Sequence, residues 1–261
     1  MRNAALLALL LPLQDRVEWK VPADGSKSLA WKYSEKAETS KDKRTTTRSD
    51  VREVEGRVRC DKSFAGSGVL EVALTRVSWI RDEERLDARR AGGSMEIKPG
   101  APKAMMELLA LDHRLRGSTE QDSQFGVMSG KTFTGGRNFA TVFRGAYVQG
   151  GFPSDLGEGT EWFESILSIE GLNDCGAETD MIRMKVVSAG RDEVRVAGEL
   201  QKKYNRMLTD CVSVSGTLTV RREFVFARAG WLASSREEVH FTRNSAGEKL
   251  VLTISQELAL K

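Results

Sequence analysis

The chain has 261 residues, 40% apolar and 30% charged, which is enough to build a real core and excludes disorder as the default state. Forty basic against 37 acidic residues leave a net charge of +3, so composition gives no general case for nucleic-acid binding. Five prolines exclude a proline-rich stalk.

Residues 1–14 read MRNAALLALLLPLQ, with Arg2 ahead of an apolar run. The run is shorter than the roughly 20 residues a membrane-spanning helix needs and fits the h-region of a secretion signal. Export to the periplasm or beyond is therefore expected, with no transmembrane segment in the mature chain. No cysteine follows the run, so a lipoprotein is not expected; the first cysteine is Cys60. Cys60, Cys175 and Cys211 make an odd count, which leaves at least one thiol unpaired within a monomer. Cys175–Cys211 is a candidate disulfide, and either pairing with Cys60 is an alternative. Three buried free thiols would satisfy the sequence equally well.

In residues 29–33, Leu29, Trp31 and Tyr33 alternate as a strand does. Residues 35–50 are polar and charged, and read as a solvated strand pair or hairpin. Val54, Val58 and Cys60 lead to a glycine-rich turn, and 69–80 form the strongest strand of the first half. The mixed charges of 81–90 suggest an exposed loop or a surface helical turn. After Pro102, Ala104, Leu108, Leu111 and Leu115 recur on one helical stripe that Met105 and Leu109 widen. Phe139, Val142, Phe143 and Tyr147 are spaced for a second helix face. Residues 161–169 read as a strand. Ile182, Met184 and Val186 alternate, a turn follows at 189–192, and Val194, Val196 and Leu200 alternate again.

The C-terminal 51 residues, 211–261, carry three further alternating runs. Leu218, Val220, Phe224 and Phe226 share one parity, with Arg222 interrupting them. Val239 and Phe241 continue the pattern, as do Leu250, Leu252, Ile254, Leu258 and Leu260 after a turn at 244–247. Short turns between such runs imply antiparallel neighbours.

The expected fold is mainly β (α+β), an antiparallel curved sheet or open barrel with one or two helices packed on it. The domain spans 15–261, with lobes at 15–100 and 160–261 bridged by a helical middle at 101–159. Met105, Leu108, Leu109, Phe139, Val142 and Phe143 are the candidate ligand-lining residues, because apolar helix faces over a sheet form a core or an apolar pocket.

No constellation for catalysis or metal binding stands out, and no cofactor is expected. The run 126–132, GVMSGKT, has three residues between its glycines where a phosphate loop needs four. His113 and His240 lack the partners a zinc site draws on. The acids at 82–84, with Asp155 and Glu158, sit among arginines or glycines and read as solvated charge.

The run SGVLEVALTRV at 67–77, the segment FARAGWLASS at 226–235, and Pro153 followed by GEGTEW at 157–162 resemble a pattern in exported bacterial β-rich proteins of unknown function. The architecture is also similar to periplasmic lipid carriers, whose curved sheet holds helices on its concave face. The signal-like start, the β meander and the Met- and Phe-lined helices together point to a non-enzymatic protein whose partner is an apolar small molecule, such as a lipid, or an envelope protein, and the near-balanced charge gives no case for nucleic acid. A structural or interaction module of the envelope is the alternative, and a hydrolase with a dispersed triad the third.

Overall fold

The computed structural model describes residues 25–64, 67–102, 105, 109, 114–118, 157–165, 180–207, 213–227 and 232–261. They form twelve strands in one sheet. These are β1 (Gly25–Lys41), β2 (Arg44–Phe64), β3 (Ser67–Arg81), β4 (Glu84–Ala91), β5 (Ser94–Ile97), β6 (Arg114–Ser118), β7 (Glu161–Ser165), β8 (Met181–Ala189), β9 (Glu193–Met207), β10 (Ser213–Ala227), β11 (Leu232–Ser245) and β12 (Glu248–Leu260). Eleven follow one path, β5-β4-β3-β2-β1-β12-β11-β10-β9-β8-β7, and β6 pairs with β3 beside it. Every pairing is antiparallel. Among the described residues β5 and β7 do not pair, so the sheet is open.

Turn chemistry explains why neighbours in sequence are neighbours in the sheet. The β1–β2 turn places Asp42 and Lys43 at φ of 49° and 64°, and the β11–β12 turn places Ala246 and Gly247 at 48° and 77°. Two consecutive left-handed residues match the right-handed twist of the flanking strands. The expected solvated strand pair at 35–50 is this first hairpin. The first and last strands pair with each other, β1 with β12, from Leu29 opposite Leu260 to Ser40 opposite Lys249.

One parity of each long strand is buried. Ile182, Met184, Val186, Leu218, Val220 and Phe241 are fully buried, and Phe226 and Trp31 nearly so. The alternation read from the second half of the chain is thus the inner face of the sheet.

Two expectations fail. The charged segment 81–90 is not a loop or helical turn. Asp82 and Glu83 make a tight turn, and β4 then buries Leu86 and Ala88 against the core. Two apolar residues of one parity outweigh the surrounding charge. The helical stripe after Pro102 fails at its far end, since Leu115 lies in β6 opposite Leu70 of β3. Nearer its start, the Met105 N–H bonds the Pro102 carbonyl at 3.0 Å, an i→i+3 turn. No α-helix occurs among the described residues. The expected second helix at 138–147 lies outside them. No helix among the described residues is long and apolar enough to cross a membrane.

Candidate functional site

A row of directly opposed residues crosses the inner face from β4 to β7. Leu86 faces Trp79, Trp79 faces Arg52, and Arg52 faces Tyr33. Tyr33 faces Gln256, Gln256 faces Glu237, and Glu237 faces Arg222. Arg222 faces Gly198, Gly198 faces Met184, and Met184 faces Trp162. In the middle of this row, Arg52, Tyr33, Gln256, Glu237 and Arg222 form a polar band across five consecutive strands, β2-β1-β12-β11-β10, with apolar residues or glycine at the same register position on either side.

Its centre is an ion network. The Arg222 side chain has no exposed area, and its guanidinium donates to Glu237 Oε1 at 3.0 Å and to Glu164 Oε2 at 2.9 Å. Glu237 also accepts from Gln256 Nε2 at 2.9 Å, and Glu164 from the Trp162 indole N–H at 3.0 Å. Glu164 lies on β7, three strands from Arg222. A flat sheet would separate those backbones by about 14 Å. Between them Gly198 offers no side chain, which lets the long guanidinium reach over β9. An alanine Cβ there would stand 2.4 Å from Met184 Sδ and 2.8 Å from the Arg183 carbonyl oxygen.

The other half of the band is built on aromatic rings. Arg52 sits 4.3 Å from the Trp79 ring centre and 4.8 Å from that of Tyr33, and pairs with Asp50 through two bonds of 2.8 Å. Arg81 adds a bond of 3.2 Å to the same carboxylate and also lies over Trp79. Such cation–ring contacts strengthen as water is excluded. Tyr33 stacks on Trp31 and donates to Glu35. Burial, with the Glu35 hydrogen bond, pushes the Tyr33 phenol well above its usual range.

Trp31 Nε1, Trp79 Nε1 and Gln256 Oε1 on this face are buried without a hydrogen-bond partner among the described residues. Two are donors and one an acceptor. Leaving such a group unmatched costs about 1–3 kcal/mol each.

Of the expected ligand-lining residues, Met105 is fully buried and Leu109 is partly buried, both packed on the sheet's core. Leu108, Phe139, Val142 and Phe143 lie outside the described residues, as do Cys175, Cys211 and His113. Cys60 lies in β2 opposite Leu70. His240 is exposed on the other face, with its Nδ1 3.4 Å from the Thr253 hydroxyl. No group of three or more histidine, cysteine or carboxylate side chains suited to a metal occurs among the described residues. Of the band, Tyr33 was read as part of an alternating strand, and only Arg222 stood out as a polar interruption of an apolar parity. Glu237 and Gln256 carried the same signal, being polar at an apolar parity, while Glu164 and Arg52 lay in segments with no regular alternation.

The outer face carries an open groove of about 490 Å³ lined by Glu161, Arg183, Lys185, Glu199, Arg221 and Glu223 among others. Its charges cancel. Arg183 and Lys185 pair with Glu161, and Arg221 with Glu199. The Arg183 hydrogen bond holds the Glu161 carboxyl below its usual range.

No family model and no curated protein matches the sequence. Among solved structures, the chain is similar to lipovitellin, in a structure concerned with its lipid–protein interactions, at 12% identity and a TM-score of 0.47, covering 94% of this chain and 25% of that one. The chain thus spans about a quarter of lipovitellin's length. It is also similar to the translocator domain of the autotransporter NalP from Neisseria meningitidis, at 8% identity and a TM-score of 0.24, covering 92% and 90% of the two chains. A DUF1329 family protein from Desulfovibrio piger matches at 9% identity and a TM-score of 0.14, covering 88% and 85%. Likenesses at these scores carry no functional argument, so the role has to be sought in the chain's own residues.

Proposed function

We propose that this chain is an exported, non-enzymatic protein that binds an apolar ligand with one polar end, of the fatty-acid kind, on the inner face of its sheet. The observation that carries the reading is the pairing of an extended apolar face with buried, unmatched polar atoms in and beside its central band. The apolar body would lie along the rows flanking the band. A carboxyl or hydroxyl end would meet the Trp79 and Trp31 indole donors and the Gln256 carbonyl. Met105 and Leu109, packed against this face, would line the ligand from outside the strands.

The test is extraction of the purified full-length protein followed by mass spectrometry, with titration of a fluorescent fatty-acid probe. Co-purified lipid or saturable probe binding is expected. Trp79→Phe keeps an aromatic ring and removes the donor, so it should weaken probe binding several-fold, the worth of one hydrogen bond. A protein that carries no lipid and leaves the probe unbound would defeat the proposal.

A further inference from the structure

One end of the sheet is far more basic than the chain as a whole. It comprises the β1–β2 turn, the β11–β12 turn and the end of β9. Lys41, Lys43, Arg44, Lys203, Arg206 and Lys249 are all exposed there, and none makes an ion pair among the described residues. The nearby acids are already engaged: Glu38 with Lys36, Glu248 with Arg243, and Asp180 with Lys202. Asp42, in the turn, is the one carboxylate of this end with no such partner among the described residues.

The register shows that these cations share one edge of the molecule. Arg44 faces Lys41, Lys249 faces both Ser40 and Asn244, and Asn244 faces Ser215. Ser215 in turn faces Asn205, next to Arg206. From β2 to β9 this is six strands, about 24 Å across. The hairpin tip stands proud, because β3 begins to pair with β2 only at Asp50. The acidic turn Asp82–Glu84 is therefore set back by about 20 Å along the strands. Lys41 directly opposite Arg44 is a like-charge pair, unfavourable in a hairpin unless an anion lies over it. Met207, 68% exposed, adds an apolar side chain at the same edge.

The geometry points to this basic end as a docking surface for an anionic phospholipid bilayer. A wide edge of separate, unpaired cations, a protruding tip bearing hydroxyls and one exposed methionine suit a plane of anionic headgroups. Single-stranded nucleic acid is the poorer match, since its binding sites add aromatic platforms on which bases stack. No aromatic side chain is exposed at this end among the described residues, and Tyr204 is buried with its hydroxyl on Asp180 at 2.6 Å. This docking does not depend on whether the inner face takes a ligand.

Sedimentation of the full chain with vesicles tests it. Binding is expected to phosphatidylcholine vesicles containing phosphatidylglycerol, not to phosphatidylcholine alone, and should fall as salt is raised. At roughly fivefold per cation near an anionic surface, the variant K41S/K43S/R44S should bind about a hundredfold more weakly. Its thermal unfolding temperature should not fall, since the substitutions also remove the like-charge pair. R195S/R221S/R236S removes the same charge from arginines that are paired elsewhere on the sheet, and should stay within a few-fold of the parent. Equal binding to both vesicle types, or equal losses in the two variants, would overturn the assignment. So would retention of an oligonucleotide through the tip cations with no vesicle binding. Probe binding measured without vesicles separates this outcome from failure of the ligand reading.

Discussion

Replacing Arg222 by methionine is the sharpest test of the polar band. Methionine keeps most of the side-chain length but removes the charge and its donors. Glu237, with 6% of its side chain exposed, would lose the Arg222 cation while still accepting from the Gln256 amide. Glu164, 19% exposed, would keep the Trp162 indole. Breaking a buried pair from one side costs about 3–5 kcal/mol, chiefly the desolvation of the abandoned charge. For a chain of this size that corresponds to a fall of roughly 10 °C in Tm. Urea unfolding followed by circular dichroism should show the same loss as a lower midpoint at unchanged slope. The double variant R222M/E237L removes both charges at the buried centre. It should recover more than half of the loss, because an apolar replacement of a buried pair is often neutral. An R222M protein within about 1 kcal/mol of the parent, or a double variant no better than the single, would refute the band as described.

Two further outcomes follow from local geometry. In Gly216→Ala the new Cβ would stand 2.3 Å from the Thr242 carbonyl oxygen, a backbone atom that cannot turn aside. A loss of about 1–3 kcal/mol is expected in denaturant unfolding, whereas Gly93→Ala, with nothing within 4 Å, should be neutral. Lys98 donates to Asp87 at 2.7 Å, and that hydrogen bond holds the Asp87 carboxyl below its usual range. Its contribution to stability is thus present above the unfolded-state value near 3.9 and lost as pH falls through the lower folded value. Lys98→Met should therefore lower Tm at neutral pH, and the difference from the parent should close in strong acid. A gap independent of pH would show that the pair is not formed.

The inner face was legible where strands are long and regular. Val220, Phe224 and Phe226 announce it, and so do Val239 with Phe241 and Leu252 with Leu258. The polar band was legible only at Arg222, yet three strands told the same story. Glu237 shares parity with Val239, and Gln256 lies between Ile254 and Leu258. Each is a polar residue where an apolar one belongs, and the three are direct neighbours across the sheet. Alternation within one strand cannot reveal this, because neighbourhood depends on register, which parity leaves open. Tyr33 is legible as a member of the alternating run Leu29, Trp31, Tyr33, whereas Arg52 is harder still, since β2 is polar over long stretches. Leu115 shows the reverse error. Leucines at helical spacing after a proline read as a stripe, but pairing of Arg114–Ser118 with β3 sets the local structure.

The band also answers a problem that a sheet this wide poses. A slip of one residue between neighbouring strands turns every apolar side chain to the wrong face and is strongly penalised. A slip of two residues restores the parity and is nearly invisible to apolar burial alone. Charge in the band removes that tolerance. Shifting β11 by two residues against β10 would put Arg222 opposite Ser235 or Val239 instead of Glu237. It would strand a fully buried guanidinium at a cost far above any apolar repacking. The same slip between β11 and β12 would set Glu237 against Ile254 or Leu258 instead of Gln256. Where β7, a short edge strand, must find its place, Glu164 reaches Arg222 from three strands away and anchors the edge directly to the centre. A polar residue as the fixer of register is the best-attested use of buried charge. It explains why fully buried ions sit in the middle of the face, where they cost most.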